Sequence, residues 1–420
     1  MGEIYGDDAM KSMDMKRRTV LAAGAAGAAA VFTGGAQAMA AAASAPAAKT
    51  PGPAAAVAAT TAASSGDVPW AADSLRELAS KIGLHIGSAL TPTDLVTPNL
   101  SAIASGQFDV YTPENEMKWQ VVEPEQGVFN WTGADNLVNY AAANKALVRG
   151  HTLVWHNQLP NWLVSNVAAG DYTQAQLLDI LQEHIFTEVG RYRGKIWQWD
   201  VCNEFLTDST PSQVDPTNFW IVNAGPDVIP LAFKWAHEAD PGALLFYNDY
   251  NIAGEDGTNA KFEAAFALAQ SLQKNAHIDG VGIQGHLDTQ FGWDPIRWRQ
   301  DLVAYAGIGL KVAITEADVR TFVNNATDQV PTDNLSQFAQ PFEYEEMLKA
   351  ALAVPEVISF TVWGFDDSES WVPGTFAGEG YADLYDVNLN PKAAYFAFQS
   401  DLALGALNAP KRVHTPQPRP

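Results

Sequence analysis

Residues Ile196–Glu204 read IWQWDVCNE, an apolar and aromatic run that ends on an amide and a carboxylate. A second run, Lys311–Asp318, reads KVAITEAD and carries Glu316 near its end in the same way. Buried strands rarely finish on charged groups, because an unpaired charge is costly to remove from water. Two strands that each deliver a glutamate therefore indicate chemistry by paired carboxylates, and the alternative is that both are salt-bridged strand ends.

The rest of the folded sequence repeats this kind of run. Between residues 67 and 404 there are eight short apolar runs, several of them continuous, as in parallel strands covered on both faces. They are Leu84–Ala89, Phe108–Glu114, Ala146–Trp155, Ile196–Glu204, Ala243–Tyr250, Gly280–Leu287, Lys311–Val319 and Val357–Phe365.

Amphipathic segments separate these runs. The clearest is Thr173–Val189, where leucines recur at helical spacing and Thr173 is a plausible N-cap. Eight alternations of strand and helix predict an α/β fold, a (β/α)8 TIM barrel in a single catalytic domain. A doubly wound open sheet is the alternative.

In such a barrel the functional side chains come from the carboxyl ends of the strands, on one rim. Polar and aromatic residues do occupy these ends in seven of the runs. They are Glu114, Asn115 and Lys118; His151, Trp155, His156 and Gln158; Asn203 and Glu204; Asn248 and Asp249; Gln284 and His286; Glu316 and Asp318; and Trp363 with Trp371. The sequence therefore predicts one site at one end of the barrel.

These residue types suit glycoside hydrolysis, which needs one neutral and one ionised carboxyl group on opposite sides of a bond. Glu204 and Glu316 would face each other across the barrel mouth. Asn203 is suited to donate to a sugar 2-hydroxyl. We expect His286 to orient Glu316, and Asp318 to bind His286.

The other rim residues would hold the sugar. Lys118, His151 and Gln284 are of the types that bind sugar hydroxyls, and three tryptophans would form walls and a roof: Trp155, Trp363 and Trp371. For His156, Asn248 and Asp249 two roles stay open, namely bracing of the rim and direct contact with the ligand.

Seven stretches resemble the endo-β-1,4-xylanases of glycoside hydrolase family 10. They are YTPENEMKW from Tyr111, RGHTLVWHNQLPNW from Arg149, WDVCNE from Trp199, YNDYN from Tyr247, GIQGHL from Gly282, ITEADVR from Ile314 and TVWGFDDSESW from Thr361. They follow the family's order and span nearly all of the folded part.

The resemblance implies a (β/α)8 barrel and a double-displacement mechanism that retains anomeric configuration, with Glu204 as acid/base and Glu316 as nucleophile. Retention in turn predicts carboxyl groups roughly 5–5.5 Å apart. It also implies xylan and xylo-oligosaccharides as substrates, water as the second substrate, and no cofactor.

Roles of further residues follow from the same resemblance. Contacts to the sugar two units from the cleaved bond, on its non-reducing side, would come from Glu114, Asn115 and Lys118. Contacts to the attacked sugar would come from His151, Asn203, Gln284 and Trp363. Gln158 and Trp371 would crowd the position where glucose carries its hydroxymethyl group, which a pentopyranose lacks.

The sequence departs from the family at three positions that flank these residues. Cys202, Phe205 and Ala317 stand where the family usually has valine, alanine and leucine. These three differences do not affect the predicted reaction, but they leave open its rate and the fine substrate specificity of the protein. Two rival functions are a β-1,4-glucanase or mixed xylanase/cellobiohydrolase, and a xylan-binding protein that has lost activity.

Composition excludes several other classes. A net charge of −23 argues against nucleic acid and anionic membranes as partners. The single cysteine allows no intramolecular disulfide, and the eight histidines show no HExxH or equivalent metal spacing. Gly280, Gly282 and Gly285 match GxGxxG, but we interpret them as part of a strand rather than a dinucleotide site.

The N-terminal sequence predicts export. Lys16-Arg17-Arg18 precedes the uncharged stretch Thr19–Ala43, so residues 1–40 resemble a twin-arginine signal, with a membrane anchor as the alternative. Residues 41–66 read as an Ala/Pro/Thr-rich linker, 67–404 as the catalytic domain and 405–420 as a disordered tail. We expect a secreted or periplasmic monomer without stable membrane association.

Overall fold

The computed structural model describes residues 73–410 and residue 412 of the 420-residue chain. The predicted export signal and linker, residues 1–40 and 41–66, lie outside the described residues. So do residue 411 and residues 413–420 of the predicted tail. Export and the linker therefore stay predictions from the sequence.

Parallel strands in the described part of the chain close into a barrel. In chain order the strands are β1 (His85–Leu90), β2 (Val110–Pro113), β3 (Leu147–Val154), β4 (Gln198–Asn203), β5 (Leu244–Asp249), β6 (Gly280–Ile283), β7 (His286–Asp288), β8 (Lys311–Phe322), β9 (Val357–Val362) and β10 (Glu379–Gly380). Strands β1 to β6 pair in sequence, β6 pairs with β8, β8 with β9, and β9 returns to β1. This closure confirms the predicted (β/α)8 barrel over the open sheet.

Helices lie between the strands. They are α1 (Leu75–Ser80), α2 (Pro92–Val96), α3 (Pro98–Gln107), α4 (Trp119–Val122), α5 (Thr132–Ala143), α6 (Asn161–Ala169), α7 (Gln174–Arg191), α8 (Phe219–Ala224), α9 (Val228–Ala239), α10 (Ala260–Asn275), α11 (Pro295–Gly307), α12 (Ser336–Ala353), α13 (Val372–Thr375) and α14 (Ala393–Asn408). Thr173 caps α7 through a reciprocal pair of hydrogen bonds with Gln176.

The last helix runs past the predicted end of the domain. Helix α14 ends at Asn408, so residues 405–408, which we predicted as part of a disordered tail, are helical. Within residues 73–410, no helix combines the length and the apolar character needed to cross a membrane.

The sixth predicted run is two strands rather than one. Strand β6 ends at Ile283, and Gly285 then adopts a left-handed conformation with φ of +80°, which interrupts the ladder. Strand β7 begins at His286 and pairs with β8, with His286 opposite Asp318. The glycines are followed by a strand and not by a helix, in agreement with our interpretation of the GxGxxG match.

The barrel leaves little free space beside its largest side chains. Trp199 of β4 is fully buried, and its ring lies against the backbone of Gly150, its register partner on β3. A Cβ atom at Gly150 would lie 2.2 Å from the Cε3 atom of Trp199. Only glycine permits this approach of the Trp199 ring to the backbone of β3.

We therefore predict that Gly150→Ala lowers the free energy of unfolding by about 1–3 kcal/mol through overpacking. Urea unfolding followed by circular dichroism measures this change. The matched control is Gly106→Ala in helix α3, where an added Cβ atom meets nothing within 4 Å. That variant should be as stable as the wild type or more stable by up to about 1 kcal/mol. Equal stability of the two variants would contradict the role of the close approach.

Candidate active site

The two candidate glutamates lie on the same rim of the barrel. Glu204 directly follows β4 and Glu316 lies in β8. Gln284 joins them: its Nε2 donates to Glu204 Oε1 at 2.9 Å, and its backbone oxygen accepts from the Glu316 N–H at 2.9 Å. The fold thus brings together two carboxylates that are far apart in the sequence.

Glu204 is half-buried, and two side chains that directly follow strands β3 and β6 hold its carboxylate. Trp155 Nε1 donates to Oε2 at 2.8 Å, and Gln284 donates to Oε1. The backbone of Glu204 is left-handed, with φ of +58°, and its N–H donates to the backbone oxygen of Asn248 at 3.0 Å. Such a conformation is rare for a residue with a side chain and marks the point where the chain turns out of β4.

Glu316 is only 5% exposed, and donors surround its carboxylate. Asn248 Nδ2 donates to Oε1 at 2.7 Å, Arg149 Nη2 lies 3.4 Å from the same oxygen, and His286 Nε2 lies 3.4 Å from Oε2. Burial alone would raise the pKa of Glu316. The hydrogen bond from His286 and the electrostatic effects of His151, Arg149 and His286 outweigh burial and lower that pKa to about 2.

The interactions that we predicted among His286, Asp318 and Glu316 are present. His286 Nδ1 lies 2.9 Å from Asp318 Oδ2, and Trp371 Nε1 donates to the same oxygen at 2.8 Å. Burial lowers the pKa of His286, but Asp318 and then Glu316 raise it to about 10. His286 is therefore protonated at neutral pH and places a positive charge beside Glu316.

A second group of polar side chains follows strand β2. Asn115 Oδ1 accepts from Lys118 Nζ at 3.2 Å and from Gln158 Nε2 at 3.1 Å, while Asn115 Nδ2 donates to Glu114 at 3.3 Å. Burial raises the pKa of Glu114 and lowers the pKa of Lys118. Nearby glutamates, Glu114 first among them, oppose the lowering of the Lys118 pKa. The structure thus brings together the three residues predicted to contact the sugar two units from the cleaved bond and Gln158, which is predicted to crowd the hydroxymethyl position.

Aromatic rings connect this group to the glutamates. Lys118 Nζ lies 5.0 Å from the ring centre of Trp155 and 5.9 Å from that of Trp363. The His151 ring packs edge-on against Trp363 at 5.2 Å, and Trp371 lies 5.1 Å from His286. The tryptophan rings among them combine a planar apolar face with a polar N–H group, which suits a ligand with both apolar and polar surface.

Comparison with known proteins agrees with this geometry. Residues 74–401 match the sequence profile of the family described as Glycosyl hydrolase family 10. This chain belongs to glycosyl hydrolase family 10.

Relatives in the family have similar length and structure. The endo-1,4-beta-xylanase B of Thermotoga neapolitana is 37% identical over 339 residues, which are 80% of this chain and 92% of the relative. An endo-1,4-beta-xylanase of Agaricus bisporus is 40% identical over 293 residues, 69% of this chain and 82% of the relative. The crystal structure of xylanase 10B from Thermotoga petrophila RKU-1, in complex with xylobiose, is 36% identical with a TM-score of 0.72 and covers 79% of this chain and 98% of its own.

In this family 10 hydrolase, the side chains of Asn248 and Asp249 are buried and contact other protein groups. Asn248 Nδ2 donates to Glu316, its Oδ1 accepts from Thr315 at 2.7 Å, and its amide lies 2.8 Å from the amide of Asn203. Asp249 contacts Lys261 rather than the rim opening. For His156 the structure shows a buried Nδ1 without a hydrogen-bond partner, so its role stays open.

The sequence analysis missed a buried ion pair beneath Glu316. Arg149 Nη2 lies 2.5 Å from Asp200 Oδ2, and its Nη1 donates to the Thr315 oxygen at 2.7 Å. Asp200 also lies 2.9 Å from His151 Nδ1. Both charged residues are essentially unexposed. A signal was present, because opposite charges stood inside two apolar strand runs, and such charges must be paired when buried.

The part of the chain that the structure describes holds no group of three or more histidine, cysteine, aspartate or glutamate side chains placed to bind a metal ion. Cys202 is buried and unpaired, and burial raises the pKa of its thiol. A thiol held neutral in this way is a poor nucleophile.

We predict that Asp318→Asn lowers the pKa of His286 from about 10 toward the ordinary histidine value near 6.5, because the negative charge that raises it is removed. NMR titration of ring-labelled histidine measures this, with the signal assigned by its loss in His286→Gln. Trp371→Phe is the control, since it removes the other donor to Asp318 and leaves the charge. An unchanged His286 titration in Asp318→Asn would contradict the interpretation.

Proposed function

We propose that this family 10 hydrolase is an endo-β-1,4-xylanase that cleaves internal bonds of xylan with retention of configuration, with Glu316 as nucleophile and Glu204 as acid/base. The observation that supports this most is the contrast between the two glutamates on one rim. Glu316 is buried and ionised among cationic groups, whereas Glu204 is half-buried and bonded to neutral donors. Such a contrast separates a nucleophile from a proton donor.

The first step is attack on the bound sugar. A Glu316 oxygen forms a bond to the anomeric carbon while the bond to the leaving oxygen breaks, and Glu204 transfers its proton to that oxygen. The product is a covalent glycosyl-enzyme ester on Glu316 and a free shortened chain. Glu204 is left as a carboxylate.

The second step reverses the roles. Glu204 accepts a proton from water as the water oxygen attacks the anomeric carbon, and the ester bond to Glu316 breaks. Two inversions give net retention. Glu316 leaves as the stable carboxylate that His286 and Arg149 favour, and Glu204 is again protonated for the next cycle.

Neighbouring side chains would hold the sugars in place during these steps. We propose that Asn203 donates to the 2-hydroxyl of the attacked sugar, held there by Asn248, and that His151, Gln284 and Trp363 contact the same sugar. Three residues after β2 would bind the sugar two units away: Glu114, Asn115 and Lys118.

Xylose preference would come from crowding. We propose that Gln158 and Trp371 fill the space that a hydroxymethyl group would need, since one is bonded to Asn115 and the other to Asp318 and neither is free to withdraw. The names of the family relatives support xylan as substrate, and the Thermotoga petrophila enzyme has been crystallised with xylobiose.

We predict that aryl xylobiosides are hydrolysed with a kcat/KM at least about 10-fold above that of the matching aryl cellobiosides, since one carbon-sized group in a closed pocket discriminates by roughly 10–200-fold. Steady-state kinetics with both substrates measure the ratio. Gln158→Ala should reduce it by opening the crowded side. A ratio near one or below would favour the glucanase alternative.

Glu316→Ala should lose more than about 1,000-fold in kcat, because the covalent step has no substitute nucleophile. Added azide should restore turnover and give a glycosyl azide of inverted configuration, whereas wild-type enzyme gives a product of retained configuration. Proton NMR of the anomeric signals distinguishes the two. A Glu316→Ala enzyme that keeps substantial activity without azide would remove the nucleophile role, and a wild type that turns over no xylan would favour a binding protein.

A further inference from the structure

The residue after Glu204 is held by a buried chain of polar side chains that the proposed mechanism does not use. The Phe205 N–H donates to the Tyr247 hydroxyl at 3.1 Å, and that hydroxyl donates to Asp249 Oδ2 at 2.5 Å. Lys261 Nζ lies 2.9 Å from Asp249 Oδ1. All four residues are buried. The chain thus runs from helix α10 through the end of β5 to the backbone beside the proposed acid/base.

The direction of these hydrogen bonds follows from the groups involved. A backbone N–H can only donate, so the Tyr247 hydroxyl accepts from Phe205 and its own proton points to Asp249. Burial raises the pKa of Asp249 to about 6, with Lys261 opposing the rise. Burial also lowers the pKa of Lys261, but Asp249, Tyr250 and Asp208 raise it above its ordinary value. The lysine is therefore charged and favours Asp249 as an acceptor.

Lys261 also holds the same segment at a second point. Its Nζ lies 3.1 Å from Asp208, which follows Glu204 by four residues, and 3.3 Å from the ring centre of Tyr250. The Tyr250 hydroxyl donates to Asp208 at 3.0 Å. One buried cation thus connects two positions of the chain that leaves β4, residue 205 through Tyr247 and residue 208 directly.

These contacts bear on the left-handed backbone conformation of Glu204. A left-handed backbone on a residue with a side chain costs of order 1–3 kcal/mol and persists where its surroundings hold it. Here both N–H groups that flank the Glu204 α-carbon are hydrogen-bonded. The Glu204 N–H donates to the backbone oxygen of Asn248, and the Phe205 N–H donates to the Tyr247 hydroxyl. The direction of the Glu204 side chain depends on both bonds.

We propose that Tyr247, supported by Asp249 and Lys261, is a positioning residue for proton transfer by Glu204. This inference rests on the proposed acid/base role of Glu204. Loss of the Tyr247 hydroxyl frees the Phe205 peptide, so that the Glu204 carboxyl group no longer meets the leaving oxygen in the geometry that proton transfer requires.

The test is kcat/KM for Tyr247→Phe over a series of aryl xylobiosides whose leaving groups differ in acidity. Acid assistance matters little for an acidic phenol and strongly for a basic one. We expect a loss under about 3-fold with the most acidic leaving group and over about 10-fold with the least acidic. A residue that only stabilises the fold would reduce activity equally along the series.

Two further variants separate the possible outcomes. Glu204→Ala should show the same leaving-group pattern with larger losses. If it shows none, or if wild type hydrolyses no xyloside, the proposed function is wrong. Tyr305→Phe is the matched control, since it removes an equally buried hydroxyl, which donates to the Ile252 oxygen at 3.0 Å, and it should leave the leaving-group pattern unchanged.

If Glu204→Ala shows the pattern and Tyr247→Phe loses activity equally along the series, or not at all, the positioning role is overturned. Circular dichroism and thermal unfolding establish that each variant is folded. Should Tyr247→Phe fail to fold, Lys261→Met decides by the same criterion, because it removes the charge from both contacts with the segment and keeps a side chain of similar length.

Discussion

A negative charge buried at the mouth of a closed barrel is the constraint on which the other features of this site depend. Glu316 is almost removed from water, and an isolated carboxylate there would take up a proton. Arg149 and His286 prevent this, and each cation is itself neutralised, by Asp200 and Asp318 respectively. Charges of alternating sign thus extend from one carboxylate to both sides of the rim.

Barrel closure makes this arrangement possible. Arg149 lies on β3 and Glu316 on β8, so this ion pair joins strands that are distant in the sequence. Asp200 on β4 and His286 on β7 each pair with a residue on an adjacent strand. A closed sheet with buried small residues such as Gly150 places these strand ends at defined separations. The same closure keeps water away from the charges, and their mutual attraction is correspondingly stronger.

Much of this could be predicted from the sequence because the signals were local. Continuous apolar runs that end on polar residues predicted both the barrel and the rim, and the polar ends did converge. Other features depended on pairing across the fold. Arg149 and Asp200 are single charges in separate runs, and neither alone indicates the other. The break at Gly285 and the left-handed backbone of Glu204 depend on which strands pair, and Lys261 stood in a helix with no visible connection to the site. The helical residues 405–408 were missed because they begin with Gly405, and glycine usually marks the end of a helix.

The hydrogen bond from Trp371 to Asp318 joins two properties that are usually adjusted separately. Trp371 borders the space proposed to exclude larger sugars, and Asp318 governs the charge of the histidine beside Glu316. Protein engineering that widens this wall to admit glucans would also remove the hydrogen bond that fixes the Asp318 carboxylate beside His286. Substrate range and the placement of the His286–Asp318 ion pair are therefore coupled traits in this scaffold, and a broadened variant needs a compensating donor to Asp318.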